Sequence, residues 1–206
     1  AVKLFDLTFS GSATHFYRLD IDTGPRVEFA VPCVLQQGRT TRVTLFGRNL
    51  VAGPGPSPHQ AESRSSNWAA PFDRIELDVT PPSGTPDRMG LRMRPAQLAA
   101  SSFPYYYSGS NAPVPLSVTD VPVVQDTPSN HSPGSAKEIT FPCEVSGQLT
   151  AGAEQDWYAV AANRGDVLWL DAFGERIGSL VDLDIVVLDS SGQRELKHLT
   201  DCVENL

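Results

Sequence analysis

The chain has 206 residues, enough for one or two domains that bury a core without disulfide staples. Its formal net charge is −8, from 16 Lys and Arg against 24 Asp and Glu, and no basic cluster stands out. We therefore expect no nucleic-acid partner, because phosphate binding needs grouped cations. The 17 prolines and 16 glycines predict few helices. No apolar run reaches the ~18–20 residues that a transmembrane helix needs, which predicts no membrane span.

Residues 1–24 read as two strands, 2–9 and 16–21, joined by a turn at Ser10–Ser12. Apolar and polar side chains alternate in both segments, as in a half-buried strand. Two strands alone are marginal in water, so this hairpin must pack on something else.

Residues 25–120 contain several further alternating runs. The strongest are 26–31, which stops at Pro32, the Thr-rich run 40–46, the run 72–79 with Ile75, Leu77 and Val79 inward, and 114–118. Gly47 and Asn49 are expected to supply a bend or a positive φ. Residues 51–66 predict a long loop, and Pro95–Ala100 is the one segment with the composition of a short helix.

Three features follow one another in this region: a Pro-led strand, a Gly before a Thr-rich strand, and Gly47-Arg48-Asn49-Leu50. Together they resemble the immunoglobulin-like TIG or IPT modules. The match covers about 30 residues. It implies a seven-stranded sandwich over 25–120 that serves binding or spacing.

Residues 121–136 are rich in Pro, Ser and Asn and predict an extended linker. The region that follows is similar to the bacterial pre-peptidase C-terminal (PPC) domain, a small secreted β-sandwich. The resemblance rests on 137–142, 145–149, 156–158, 163–170, 182–185 and 191–193, in that order. One departure is that Ala153-Glu154-Gln155-Asp156 stands where the family often has Gly-Asp-x-Asp.

A chain that combines TIG-like and PPC-like modules resembles the large extracytoplasmic proteins of planctomycete-type bacteria, in which such modules alternate. They imply an all-β fold of two antiparallel β-sandwich modules and a periplasmic, surface or secreted location. Residues 137–206 would hold the first strands of one PPC-like sandwich, and 1–22 the last strands of another copy. We therefore expect 1–22 to complete the sandwich of 137–206, within one chain or between chains.

Four carboxylates form a candidate calcium site: Asp182, Asp184, Glu154 and Asp156. Calcium takes about six to eight oxygen ligands, and alternate residues such as Asp182 and Asp184 share one strand face. The competing interpretation is a solvated polar face opposite Leu183 and Ile185.

The aromatic residues Trp68, Tyr105, Tyr106 and Tyr107 form a candidate stacking platform for a sugar or a peptide. The alternative is that Tyr105 and Tyr107 close the core and only Tyr106 is exposed. Trp157, Trp169 and Phe173 are expected to pack in the core.

Three cysteines are too few for a disulfide framework, although one bridge between Cys33 and Cys143 is conceivable. The histidines lack metal-ligand spacing, and no Gly-x-Ser-x-Gly elbow is present. We therefore expect no catalysis and no obligatory cofactor. The sequence favours a structural or interaction module that contacts other protein chains or neighbouring domains. The alternative is a carbohydrate- or protein-binding accessory domain of an extracellular hydrolase.

Overall fold

The computed structural model describes residues 2–50, 72–83 and 101–200. Within those ranges the regular structure consists of β-strands and two short 3₁₀ turns, which confirms the all-β prediction. The strands are β1 (Arg26–Val31), β2 (Val34–Gln36), β3 (Thr41–Arg48), β4 (Asp73–Val79), β5 (Ser102–Tyr105), β6 (Val114–Thr119), β7 (Val123–Gln125), β8 (Lys137–Ile139), β9 (Glu144–Ser146), β10 (Tyr158–Val160), β11 (Asp184–Leu188) and β12 (Glu195–Thr200).

Two three-stranded sheets enclose one hydrophobic core. One sheet has the order β1-β3-β4 and is antiparallel, and the other has the order β2-β6-β5. Three leucines are completely buried: Leu45 from the β1-β3-β4 sheet, and Leu35 and Leu116 from the β2-β6-β5 sheet. The cluster is completed by Val27, Ala30, Val43, Val79, Phe103, Val114 and Val118. The predicted inward alternation of β4 is present, with Ile75 and Leu77 half-buried and Val79 buried.

The strict alternation predicted for 26–31 is interrupted by a β-bulge between Val27 and Phe29. The bulge brings Val27 and Ala30 to the core and leaves Phe29 outside. Gly47 lies opposite Val27, and a Cβ there would meet the Arg26 carbonyl oxygen at 2.1 Å. Close backbone approach is therefore what requires glycine at 47, whereas the predicted positive φ occurs at Asn49, at 54°.

The chain changes sheets between β1 and β2. β1 pairs with β3 in one sheet, and β2 pairs in parallel with β6 in the other. Only Pro32 and Cys33 separate β1 from β2 along the chain. Pro32 is completely buried at this crossing. Proline has no backbone N–H to donate to a β-ladder, so it suits a position where one strand ends before the next begins.

Residues after β6 form small two-stranded pairs: β7 with β9, β8 with β10, and β11 with β12. The first two pairs are parallel and the third is antiparallel. Across the described residues beyond Val118, the fully buried side chains include polar Asn130 and Ser146 and no large apolar group. A second sandwich with its own apolar core is thus absent from this part of the structure. Within the predicted linker 121–136, the residues of β7 are extended and pair with β9.

Residues 2–24 differ from their prediction, because they contain no strand and 2–22 are exposed throughout. Asp6 explains the break in the first segment: its Oδ2 accepts the Thr8 amide at 2.9 Å and the Ser10 amide at 3.1 Å. Such side-chain bonds compete with a ladder for the backbone groups. The completion of a sandwich by 1–22 within one chain is therefore wrong for the described residues, and completion between chains stays a prediction.

The strand-like run 166–170 is also not a strand in the structure. Asp166 instead accepts the Asn163 amide at 2.7 Å in a local turn. Trp169 is 94% exposed, so its expected place in the core is wrong, while Trp157 and Phe173 are half-buried. The expected loop 51–66 and the helix Pro95–Ala100 lie outside the described residues. Within the described ranges, no helix is long and apolar enough to cross a bilayer.

Leu45→Ala should lower the free energy of unfolding by about 2–5 kcal/mol, because it opens a cavity in the sandwich core. Urea denaturation measures this change. The matched control is Leu7→Ala, which truncates an exposed leucine and should change stability by less than about 0.5 kcal/mol. Equal losses for the two variants would contradict the assignment of the core.

Candidate functional site

His131, Glu154 and Asp156 lie together in the described part of the chain, with one ligand-type atom from each within 4.8 Å of the others. His131 comes from the segment between β7 and β8, and the two carboxylates precede β10. The buried side chain of Asn130 positions the histidine. The Asn130 backbone oxygen accepts a hydrogen bond from the Trp157 amide at 2.7 Å, and the Asn130 Nδ2 donates to the Trp157 carbonyl at 3.4 Å.

Glu154 is fixed by its own turn. Its Oε2 accepts hydrogen bonds from the Thr150 amide and hydroxyl, each at 2.9 Å, and from the Ala151 amide at 2.7 Å. The Thr150 hydroxyl is the main cause of a lowered pKa for the Glu154 carboxyl, which is therefore held ionised. Its Oε1 lies 3.9 Å from His131 Nδ1.

Asp156 is closer to the histidine, with its Oδ1 at 3.1 Å from His131 Nδ1. Burial raises the pKa of the Asp156 carboxyl, and the nearby charge of Asp126 raises it further. The Tyr158 hydroxyl donates to Asp126 at 3.1 Å, and burial, followed by the charge of Asp126, raises the pKa of Tyr158. This end of the β8–β10 pair thus concentrates negative charge in a partly desolvated place.

Asp182 and Asp184 do not join that group within the described residues. Both are exposed, and Asp184 Oδ1 lies 2.7 Å from His198 Nε2 across the β11–β12 pair. The predicted four-carboxylate set is therefore divided between two places. The acid-x-acid spacing of Glu154 and Asp156 is the signal that the sequence offers for this group. Nothing in the spacing of the histidines links His131 to that pair.

The three tyrosines are not equally available. Tyr105 and Tyr107 pack partly against the core, while Tyr106 is 62% exposed. Burial raises the pKa of Tyr105 and of Tyr107. The arrangement matches the expected alternative in which only the middle ring is presented to solvent. Trp68 lies outside the described residues, so the platform with Trp68 stays a prediction.

Cys33 and Cys143 are free thiols in the structure, so the suggested disulfide between them is not formed. The Cys33 Sγ instead lies 3.4 Å from Ser146 Oγ.

An aromatic surface that the sequence did not single out lies on the outer face of the β1-β3-β4 sheet. Phe29 stacks on its cross-strand partner Phe46 with centroids 4.7 Å apart and meets the edge of Phe72 at 5.5 Å. Arg48 lies over the Phe72 ring at 4.8 Å, and Arg74 over Phe46 at 5.9 Å. Such a surface combines apolar rings with cations and is suited to protein contact. The bulge in β1 creates it, because it places Phe29 outside.

Comparisons with protein-family models, curated proteins and solved structures found no match to this chain.

Asn130→Ala should lower the free energy of unfolding by about 1–3 kcal/mol, because it removes a buried amide and leaves its partners unpaired. Thermal or urea unfolding measures the change. Asn163→Ala is the control, since Asn163 is exposed, and its effect should stay within about 0.5 kcal/mol. An unchanged stability in Asn130→Ala would show that this amide does not hold the turn.

The Asp189 carboxyl should titrate below its ordinary value of 3.8, because Ser191 Oγ and then the Arg194 amide donate to it at the β11–β12 turn. A lowered folded-state pKa means that the ionised carboxylate stabilises the hairpin above the unfolded pKa. That stabilisation is lost as the pH falls through the folded pKa. Carboxyl-detected NMR titration measures the value, and Ser191→Ala should move it upward. An unshifted titration in Ser191→Ala would contradict the assignment.

Proposed function

We propose that this chain is a non-catalytic structural and interaction module of a secreted or periplasmic bacterial multidomain protein. It works by contacting other protein chains or neighbouring domains. The observation that carries the proposal is the set of large apolar side chains left exposed on two segments, 2–21 and 160–170. They are Val2, Leu4, Phe5, Leu7, Phe9, Phe16, Tyr17, Leu19, Ile21, Val160, Val167, Leu168, Trp169 and Leu170.

Burial of one large apolar side chain is worth about 1.5–3 kcal/mol, so a surface that covers several of them gains substantial free energy. Exposed apolar surface of this extent is a mark of protein contact sites. The runs 2–9 and 16–21 also alternate apolar and polar residues, the pattern of a strand that faces one layer. Addition of such a segment to the open edge of a neighbouring sheet would satisfy its backbone as well as its side chains.

The resemblance of 25–120 to TIG modules and of 137–206 to PPC domains supports the same proposal. TIG modules serve binding or spacing, and the PPC domain is a small secreted β-sandwich. The alternative is an accessory domain that binds carbohydrate or protein for an extracellular hydrolase. The exposed ring of Tyr106 is the feature that favours it.

A second copy of the chain is the first probe of protein contact. We expect sedimentation velocity to show association that strengthens with concentration, and Trp169→Asp to weaken it, because a charge cannot be buried against an apolar partner. The control is Gln148→Asp, which adds the same charge at a half-buried position outside both segments.

Two results would count against the proposal. One is a chain that stays monomeric at all concentrations, with unchanged amide exchange in 2–21 and 160–170. The other is turnover of a chromogenic ester, peptide or glycoside by the purified chain. Retention on an insoluble polysaccharide that is lost in Tyr106→Ala would favour the alternative.

A further inference from the structure

The group His131, Glu154 and Asp156 combines one imidazole nitrogen with two carboxylates whose side chains are nearly buried. The exposed fraction of the side chain is 9% for Glu154, 12% for Asp156 and 40% for His131. Solvent can therefore reach the group from the histidine side, while the carboxylates are largely withdrawn from water. Partly buried carboxylates are ordinarily paired or coordinate a metal, and here Asp156 contacts His131 while Glu154 accepts from Thr150 and Ala151.

Glu154 is held with one oxygen available. Its Oε2 is engaged by Thr150 and Ala151, whereas its Oε1 makes no hydrogen bond with the described residues. That oxygen faces the histidine, 3.9 Å from Nδ1, at the distance of an ion pair. Glu154 therefore presents one carboxylate oxygen to the same point as the imidazole and Asp156.

The separations suit a small cation. Ligands at the ~2.0–2.1 Å bond length of zinc lie about 3.3 Å apart in a tetrahedron. The His131 to Asp156 distance is 3.1 Å, and all three ligand atoms are within 4.8 Å of one another. We propose that His131 Nδ1, Glu154 Oε1 and Asp156 Oδ1 bind a divalent transition-metal cation of the zinc type, with water as the fourth ligand.

The donor set disfavours calcium, the ion that the carboxylates alone had suggested. Calcium prefers oxygen ligands and gains from bidentate carboxylates, whereas imidazole suits zinc and its neighbours in the transition series. Glu154 cannot bind in a bidentate way without giving up the three hydrogen bonds of its Oε2. Asp182 and Asp184, which would have added oxygens, lie with His198 instead.

Asp126 supports cation binding without being a ligand in this arrangement. Its carboxylate is close enough to Asp156 to act on that charge, and it is oriented by the Tyr158 hydroxyl at 3.1 Å. Three carboxylates against one imidazole leave a net negative charge, which a divalent cation neutralises. The proposal concerns the cation alone and is independent of the protein contacts proposed above.

Isothermal titration of the full chain with zinc chloride, and separately with calcium chloride, tests the proposal. We expect one zinc per chain, weaker calcium binding, and a higher melting temperature in zinc. His131→Gln should weaken zinc binding by more than about tenfold, because even residues that only orient a ligand contribute ~10–100-fold. Asp156→Asn should do the same while keeping the shape of the side chain.

His198→Gln is the matched control. His198 also contacts an aspartate, at 2.7 Å, but this pair belongs to no group of three ligand atoms in the described residues. The zinc affinity of the His198→Gln variant should equal that of the unmodified chain. Circular dichroism before titration separates loss of a ligand from loss of the fold. If a variant unfolds, cobalt is bound to the unmodified chain instead. Its visible absorption reports whether the metal has tetrahedral coordination by nitrogen and oxygen ligands.

The proposal is overturned if zinc fails to bind, if His131→Gln and His198→Gln behave alike, or if calcium binds more tightly than zinc. An octahedral, water-like cobalt spectrum would also overturn it. Failure of these tests leaves the interaction function untouched, because that function depends on segments 2–21 and 160–170 and on different measurements.

Discussion

The hydrogen bonding of Cys33 joins the two parts of this molecule. Its carbonyl accepts the Ser117 amide at 2.9 Å, which holds β2 to β6 in the sandwich. Its amide donates to Ser146 Oγ at 3.0 Å, which holds the sandwich to β9. Backbone groups in such a place must be satisfied, so the short segment after Pro32 fixes both attachments together. This one residue thus links β9 to the sheet that packs on the apolar core.

The two parts are stabilised by different forces. The sandwich hides its apolar side chains, and its stability follows from packing. The later part buries Asn130 and Ser146, so it depends on hydrogen bonds whose net worth is modest. Regions with little buried apolar surface are the ones that open locally. The partner contacts and the cation proposed above would therefore stabilise the later part more than the sandwich.

The sequence predicted the strands that carry their own pattern and that find a partner. β3, β4 and β6 alternate, and the sandwich buries the alternating face, whereas a bulge interrupts the alternation of β1. The same pattern failed in 2–9, because alternation states which side chains belong together and not which strand receives them. There Asp6 bonds to nearby amides and favours a turn, as Asp166 does beside the apolar run 167–170. Pairing between distant segments, as in β7 with β9, has no local signature.

The candidate metal group shows the same limit. Glu154 and Asp156 are two residues apart, so their convergence is readable from spacing alone. His131 reaches them because Asn130 binds both backbone groups of Trp157, a contact between segments far apart in the chain. The outward turn of Phe29 likewise follows from a bulge, whose position depends on the register with β3. Long-range register is a property of the folded chain and leaves little trace in composition.

The bond from the Cys33 amide to Ser146 also bears on where an autonomous folding unit ends. A fragment cut after β6 keeps every side chain of the apolar core but loses the hydroxyl that accepts this amide. It also uncovers the edge of β2, where unpaired backbone groups invite other strands. The smallest excisable piece that retains the sandwich in its native surroundings therefore extends past residue 146. A graft that joined the sandwich to another protein would need to carry β7 and β9 with it.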